Sequence, residues 1–283
     1  MKKTLTVLVS IVAVIIVGCA QRERHPEKIT VVVSIVPLAE FAEEIGGDKV
    51  RVSVMVSPGA SPHTYEPTSG QLIEVSKAKL YIKVGAPIEF ELAWLDRILS
   101  TNRGLSIINA SAGIHLQQHE HTSQDPHVWL SPKNAKTMVE NIYKGLVVID
   151  SVNEQYYADN KKRYLAQIDR LDREIEKILE KKINRKFMVF HPSWGYFARD
   201  YKIEQIPVEA EGKEPTARDI QHLIEQAKKS HITVVFASPQ FNMESAEVIA
   251  REIQGSVVII DPLAKDYITN MKKVAQALSE AME

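Results

Sequence analysis

Four side chains in this sequence carry the donor atoms a transition metal needs: His63, His127, His191 and Asp261. Each stands in a proline-marked segment, SPHTYEP, DPHVWLSP, FHPSWGYF and IIDPL, and the gaps between them are 64, 64 and 70 residues. Three imidazoles and a carboxylate make a full tetrahedral set for zinc, or an incomplete one for manganese or iron(II). No two of them lie within one helical turn of each other, so a fold must bring them together, two from each half of the chain. A single histidine is more often a hydrogen-bonded core or surface residue than a ligand. What sets these apart is the proline beside three of the imidazoles, which fixes the backbone and reduces the disorder lost when a metal is gripped.

The segments that must position these residues alternate between two kinds. ITVVVSIV, KVRVSVMV, KLYIKVG and LSIINAS read as strands, and LAEFAEEIGG, SGQLIEVSKA and FELAWLDRILS as the helices between them. The same grammar restarts near Lys186 with KFMVF, KIEQIPVE, ITVVFAS and SVVII as strands. Such alternation predicts α/β architecture, with two parallel-sheet lobes carrying helices on both faces. His191 directly follows one predicted strand and Asp261 another, and ligands of open α/β sheets bind beyond the carboxyl ends of strands. His63 lies in a loop stiffened by Pro58, Gly59 and Pro62, and His127 just before a helix that Ser131 and Pro132 open.

Between the halves the pattern turns helical. After the helix from Ser131, a second is expected from near Asn153 to about Lys182, without glycine or proline. Tyr164, Ile168, Leu171, Ile175 and Ile178 give it one apolar stripe, and the other faces are charged. One stiff helix joining two lobes suits this length better than a coiled-coil arm. The expected division is residues 29–130 for an N-terminal lobe, 131–185 for the helical linker and 186–283 for a C-terminal lobe.

The start of the chain bears on compartment. Lys2 and Lys3 precede an apolar run from Leu5 to Val17, then Gly18 and Cys19. A charged start and an apolar run too short for a comfortable membrane span read as a secretory signal, residues 1–18. Ile16-Val17-Gly18-Cys19 resembles a bacterial lipobox, so Cys19 is expected to carry lipid and residues 19–28 to form a tether. With a single cysteine there is no intramolecular disulfide. Lys and Arg number 35 against 36 Asp and Glu, a balance that gives no electrostatic argument for nucleic acid.

The motifs VSPGASPHTYEPTSGQL, DPHVWLSP, FHPSWGYFARDY, EGKEPTARDI and VVIIDPL occur in one order along the chain. In that order and spacing the chain resembles the metal-binding receptors of bacterial ABC importers for zinc and manganese, the cluster A-I solute-binding lipoproteins. The resemblance covers about Ile29 to Glu283. It implies two α/β lobes bridged by one long helix, with the metal held in the cleft by His63, His127, His191 and Asp261. It also implies a permease partner in the cytoplasmic membrane, a monomeric receptor and an extracytoplasmic location, either periplasmic or on the outer face of the plasma membrane. Receptors of manganese in this resemblance often place glutamate where His191 stands, and a third imidazole suits zinc better. A manganese or iron receptor of the same family is the alternative.

Other groups are expected near the site. His115, His119 and His121 lie in HLQQHEH, where zinc receptors of this kind often carry a His-rich loop. Glu66 is a candidate acceptor for an imidazole N–H, with helix capping as its competing role. Glu209, Glu211 and Glu214 line the cleft or form a solvated turn, and Trp129 and Trp194 are expected to pack beneath the ligands. No HExxH, G-x-S-x-G or P-loop pattern is present, and a closed four-donor site lacks the open position a metallohydrolase needs. The chain is therefore read as a zinc receptor and not an enzyme. Adhesion, a role attributed to some surface lipoproteins of this family, is compatible and not required.

Overall fold

A computed structural model describes residues 28–118, 124–209 and 213–282. Four short strands, β1 (Ile29–Val33), β2 (Val50–Val54), β3 (Leu80–Lys83) and β4 (Ser106–Asn109), pair in the order β2-β1-β3-β4. A second sheet, β5 (Lys186–Val189), β6 (Glu204–Pro207), β7 (Val234–Ala237) and β8 (Ser256–Ile259), has the order β6-β5-β7-β8. Every pairing is parallel, with registers such as Val31 opposite Val52 and Leu80, and Val189 opposite Pro207 and Phe236. The second sheet thus repeats the topology of the first. All the carboxyl ends in a sheet lie on one edge, and the order reverses between β1 and β3 and again between β5 and β7.

The helices are α1 (Val36–Gly46), α2 (Ser69–Lys77), α3 (Glu89–Ser100), α4 (Pro132–Ile149), α5 (Glu154–Leu179), α6 (Gly195–Tyr201), α7 (Ala217–Lys229), α8 (Glu244–Glu252) and α9 (Tyr267–Ala281). Val31, Val32 and Val33 are all fully buried, the continuous apolar run of a parallel strand covered on both faces. β5 alternates instead. Phe187 and Val189 join the core that runs through α1, α4, α5 and α9, whereas Met188 and Phe190 join a smaller cluster with Val235, Ala246 and Ile249. The larger core passes from the first sheet through α5 into the second half without a break.

α5 is the predicted bridging helix, 26 residues long, which at 1.5 Å per residue spans about 39 Å. Its buried stripe is Tyr157, Tyr164, Ile168, Leu171, Ile175 and Leu179. The seam ends on Leu179 and leaves Ile178 only partly buried, because a step of four from Ile175 follows the helical repeat more closely than a step of three. Each fully buried side chain of this stripe contributes about 1.5–3 kcal/mol. An exposed pair such as Lys136 with Asp169, 2.7 Å apart, adds about 0–1 kcal/mol, so burial sets the helix in place. The helix stops three residues before the expected Lys182. Arg185 accounts for the stop: its Nη1 donates to the Leu179 and Lys182 carbonyl oxygens, and a guanidinium is well matched to the carbonyl end of a helix.

Candidate metal centre

His63 follows β2 in a loop held at its base by α3. The Phe90 amide donates to the Pro62 carbonyl oxygen at 3.0 Å, and Glu89, the first residue of α3, meets His63 Nδ1 at 2.6 Å. His127 precedes a short turn, Val128–Leu130, that leads into α4. Its backbone amide and its Nδ1 both reach Asp125 Oδ1, at 2.9 and 2.8 Å. His191 lies just beyond β5, with Nδ1 at 2.7 Å from Glu209 Oε1 and its ring stacked on Phe241 at 4.3 Å.

These three rings converge. Their centroids are 4.7 Å (His63 to His191), 5.1 Å (His127 to His191) and 5.8 Å (His63 to His127) apart. One ring nitrogen from each lies within 4.8 Å of the other two, and the Nε2 atoms of His127 and His191 are 3.2 Å apart. Each Nδ1 stands against its own carboxylate. A neutral imidazole that donates from Nδ1 presents the lone pair of Nε2, which is the tautomer a metal ligand requires. Burial alone would push the Glu89 carboxyl up, but its hydrogen bond with His63, joined by the charge of that ring whenever it is protonated, holds the group below the ordinary carboxylate range.

The cavity in front of the rings is lined by Pro62, Trp129, Gln240, Phe241, Pro262 and Leu263 besides the histidines. Of the four expected donors the structure brings three into one cluster. Asp261 is not in that cluster; it precedes the lining residues Pro262 and Leu263, with Oδ1 accepting from Gln240 Nε2 at 2.8 Å and from the Leu263 amide at 2.9 Å.

Contacts between the halves of the chain hold the site's walls. Trp129 is fully buried, with its ring 5.3 Å from that of His127, and Nε1 donates to the Pro262 carbonyl oxygen at 2.8 Å. Tyr267 Oη donates back to the Trp129 carbonyl oxygen at 2.8 Å. α6 presses on the Asp125 segment: Tyr196 Oη donates to the Asp125 carbonyl oxygen, and Gly195 admits Asp125 Oδ2 where a Cβ would come within 2.6 Å of it. Trp194, at the start of α6, is fully buried and packs edge-on to Phe197.

A family model, zinc-uptake complex component A periplasmic (ZnuA), matches residues 31–281. This chain belongs to the zinc-uptake component A family. Among curated proteins it is similar to the high-affinity zinc uptake system protein ZnuA of Bacillus subtilis, with 28% identity over 90% of this chain and 88% of that one. It is also similar to the zinc-binding lipoprotein AdcA of Streptococcus pneumoniae, at 24% identity over the whole of this chain, which spans 62% of that longer protein. A crystal structure of ZnuA superimposes with a TM-score of 0.88 and 43% identity, covering 91% of this chain and 100% of the other. The two-lobed α/β architecture with its bridging helix is the fold of that family member.

Several expectations for the surrounding residues change. The carboxylate on His63 is Glu89 and not Glu66. Tyr65 turns inward to bond Ser57 Oγ at 2.8 Å and to pack on Phe90, so its neighbour in the extended chain, Glu66, points outward and is exposed. Glu209 is buried against His191, whereas Glu214 is exposed and accepts from Ser245 Oγ. Glu211 lies outside the described residues, as do His119, His121 and Cys19. His115 lines a separate concavity with Gln117, Gln124 and Arg199, which contains none of the three clustered histidines. Sequence reasoning left out Glu89 and Asp125. Asp125 was visible in the DPH motif two residues before its histidine; Glu89 offered only the ordinary signal of an acidic helix start.

Proposed function

We propose that this chain is an extracytoplasmic receptor that captures Zn²⁺ and delivers it to an ABC permease, with His63, His127, His191 and Asp261 as the ligands. The observation that carries this reading is the convergence of three histidine ring nitrogens within 4.8 Å, each ring backed by a carboxylate on Nδ1. Membership of the zinc-uptake family supports the cargo and the importer. Three borderline nitrogen donors favour zinc over manganese, which prefers oxygen. Asp261 supplies the fourth donor through Oδ2, since Oδ1 is engaged by Gln240 and Leu263.

In this reading the protein binds and releases its cargo without chemical change. A set of four protein donors occupies a tetrahedral ion fully, and hydrolysis would need one position left for water. The leader, residues 1–18, directs export, and lipid on Cys19 anchors a monomeric receptor at the membrane. No helix among the described residues is long and apolar enough to cross a membrane. The test is competitive Zn²⁺ and Mn²⁺ binding to the mature chain alongside an assay for hydrolysis. One tightly held zinc per chain without turnover supports the receptor. Stoichiometric manganese in preference to zinc, or turnover, overturns it.

A further inference from the structure

The turn after β7 touches both ligand candidates of the second half. Ser238 to Phe241 closes through a hydrogen bond from the Phe241 amide to the Ser238 carbonyl oxygen, and β7 lies beside β8, whose extension carries Asp261. Phe241 stacks on the His191 ring, and Gln240 Nε2 donates to Asp261 Oδ1. Gln240 also lines the three-histidine cavity. Its orientation follows from charge: Oε1 turned toward the carboxylate would set two acceptors face to face, so the amide nitrogen must point at Asp261. Gln240 Oε1 is then buried without a partner among the described residues. The side chain leaves one polar atom unpaired and keeps the bond to Asp261, so that bond is what fixes its place.

Its effect on Asp261 is specific. A carboxylate oxygen has two lone pairs in its plane. On Asp261 Oδ1 one is taken by Gln240 Nε2 and the other by the Leu263 amide, while Asn270 Nδ2 fixes the backbone carbonyl of the same residue. With both pairs engaged, Oδ1 has nothing left to give an ion. If Gln240 were absent, one lone pair would be released and both oxygens would become available.

We propose that Gln240 is a specificity-determining residue, which holds Asp261 to ligation through one oxygen and so limits the bound ion to four donors. Four donors with three nitrogens suit zinc; a two-oxygen carboxylate raises the number to five and moves the site toward manganese or iron(II). The inference rests on Asp261 being the fourth ligand, as in the function proposed above.

The experiment uses the full mature chain and Co²⁺, Zn²⁺ and Mn²⁺ as probes. Gln240→Met keeps the volume and removes the donor; Gln240→Ala is the second variant, and circular dichroism establishes that each is folded. Cobalt(II) in a tetrahedral site absorbs strongly in the visible, and less strongly when five-coordinate. The parent is expected to give the intense spectrum. The variants should give a weaker one, with zinc affinity reduced by about 10- to 100-fold, as for loss of other groups that orient a ligand. Manganese affinity should fall less, so the zinc-to-manganese ratio drops. A cobalt spectrum identical to the parent's in both folded variants overturns the proposal. Asp261→Asn separates the underlying reading: zinc affinity equal to the parent's in that variant shows that Asp261 is not a ligand, whatever the Gln240 variants do.

Discussion

The Nε2 atoms of His127 and His191 face each other at 3.2 Å although one residue precedes α4 and the other follows β5. Each ring turns its Nδ1 to a carboxylate, Asp125 in one case and Glu209 in the other. When both rings are neutral, as metal binding requires, two lone pairs point into the same small space. A proton between them or a shared cation resolves that repulsion, and the third ring, His63, makes a cation the better answer.

Replacing one of these rings should therefore abolish tight binding and spare the fold. His127→Ala is expected to lower zinc affinity by more than the about 10- to 100-fold typical of losing an outer carboxylate. Chelator competition measures the affinity, and circular dichroism follows the apo fold. Parent-like zinc binding would remove His127 from the ligand set.

The carboxylates make a graded prediction. Glu209→Gln keeps the shape and removes the charge that favours the ligand tautomer of His191. Zinc affinity should fall by about 10- to 100-fold, with Glu89→Gln acting similarly on His63. Glu66→Gln should change nothing, since Glu66 is exposed and contacts no histidine ring among the described residues. Equal effects from Glu66 and Glu89 would contradict the pairing.

The frame was legible in the chain because its signals are local. β-branched runs such as ITVVV and short amphipathic helices between them fix both the strand type and the alternation. The three clustered histidines were legible because proline marks each one. Glu89 was not, because its meeting with His63 depends on α3 docking against the β2 loop, 26 residues away in sequence. The end of α5 was misplaced for a similar reason: Glu180 to Lys182 have good helix propensity, and only the folded position of Arg185 takes over the terminal carbonyls. Gln240 carries no sequence signal, since its role exists only beside Asp261.

Acid should release the cargo. Coordination needs neutral imidazoles, so protons compete with the metal for the three rings. Apparent zinc affinity is expected to drop progressively as pH falls, as read by competition titrations between about pH 8 and pH 5. Undiminished affinity down to about pH 4 would exclude a three-imidazole site.

Stability of the zinc-free protein should show a separate dependence centred on Glu40. Its carboxylate accepts from Tyr164 Oη at 2.7 Å and from the Tyr267 amide at 2.5 Å, joining α1, α5 and α9. Burial pushes its pKa up to about 7, the two hydrogen bonds oppose the rise, and Asp266 and Glu44 add to it. Because the folded value lies above the unfolded one, the folded state takes the proton first. This group's contribution to stability therefore decreases as pH rises from about 4.5 to about 7. Glu40→Gln should flatten that dependence and gain on the order of 1–3 kcal/mol near pH 8, measured by urea unfolding beside the parent. A parent-like pH profile in the variant would place the titration elsewhere.

Zinc should close the two halves only slightly. Wide hinge motion requires few contacts across the junction. Here the larger core runs unbroken from the first sheet through α5 to Met271, Val274 and Leu278 of α9. Glu40 ties α1 to the start of α9, Trp129 and Tyr267 exchange hydrogen bonds with opposite halves, and Ser131 Oγ donates to Asp200 on α6. Opening the cleft widely would break all of these at once and expose apolar surface. The radius of gyration from small-angle scattering is therefore expected to stay the same within error on adding zinc. Loosening the junction with Trp129→Phe, which leaves the Pro262 carbonyl oxygen without its donor, should cost about 1–3 kcal/mol of stability and weaken zinc binding together. A large drop in radius on zinc binding to the parent would show that the unbroken core does not restrain the lobes.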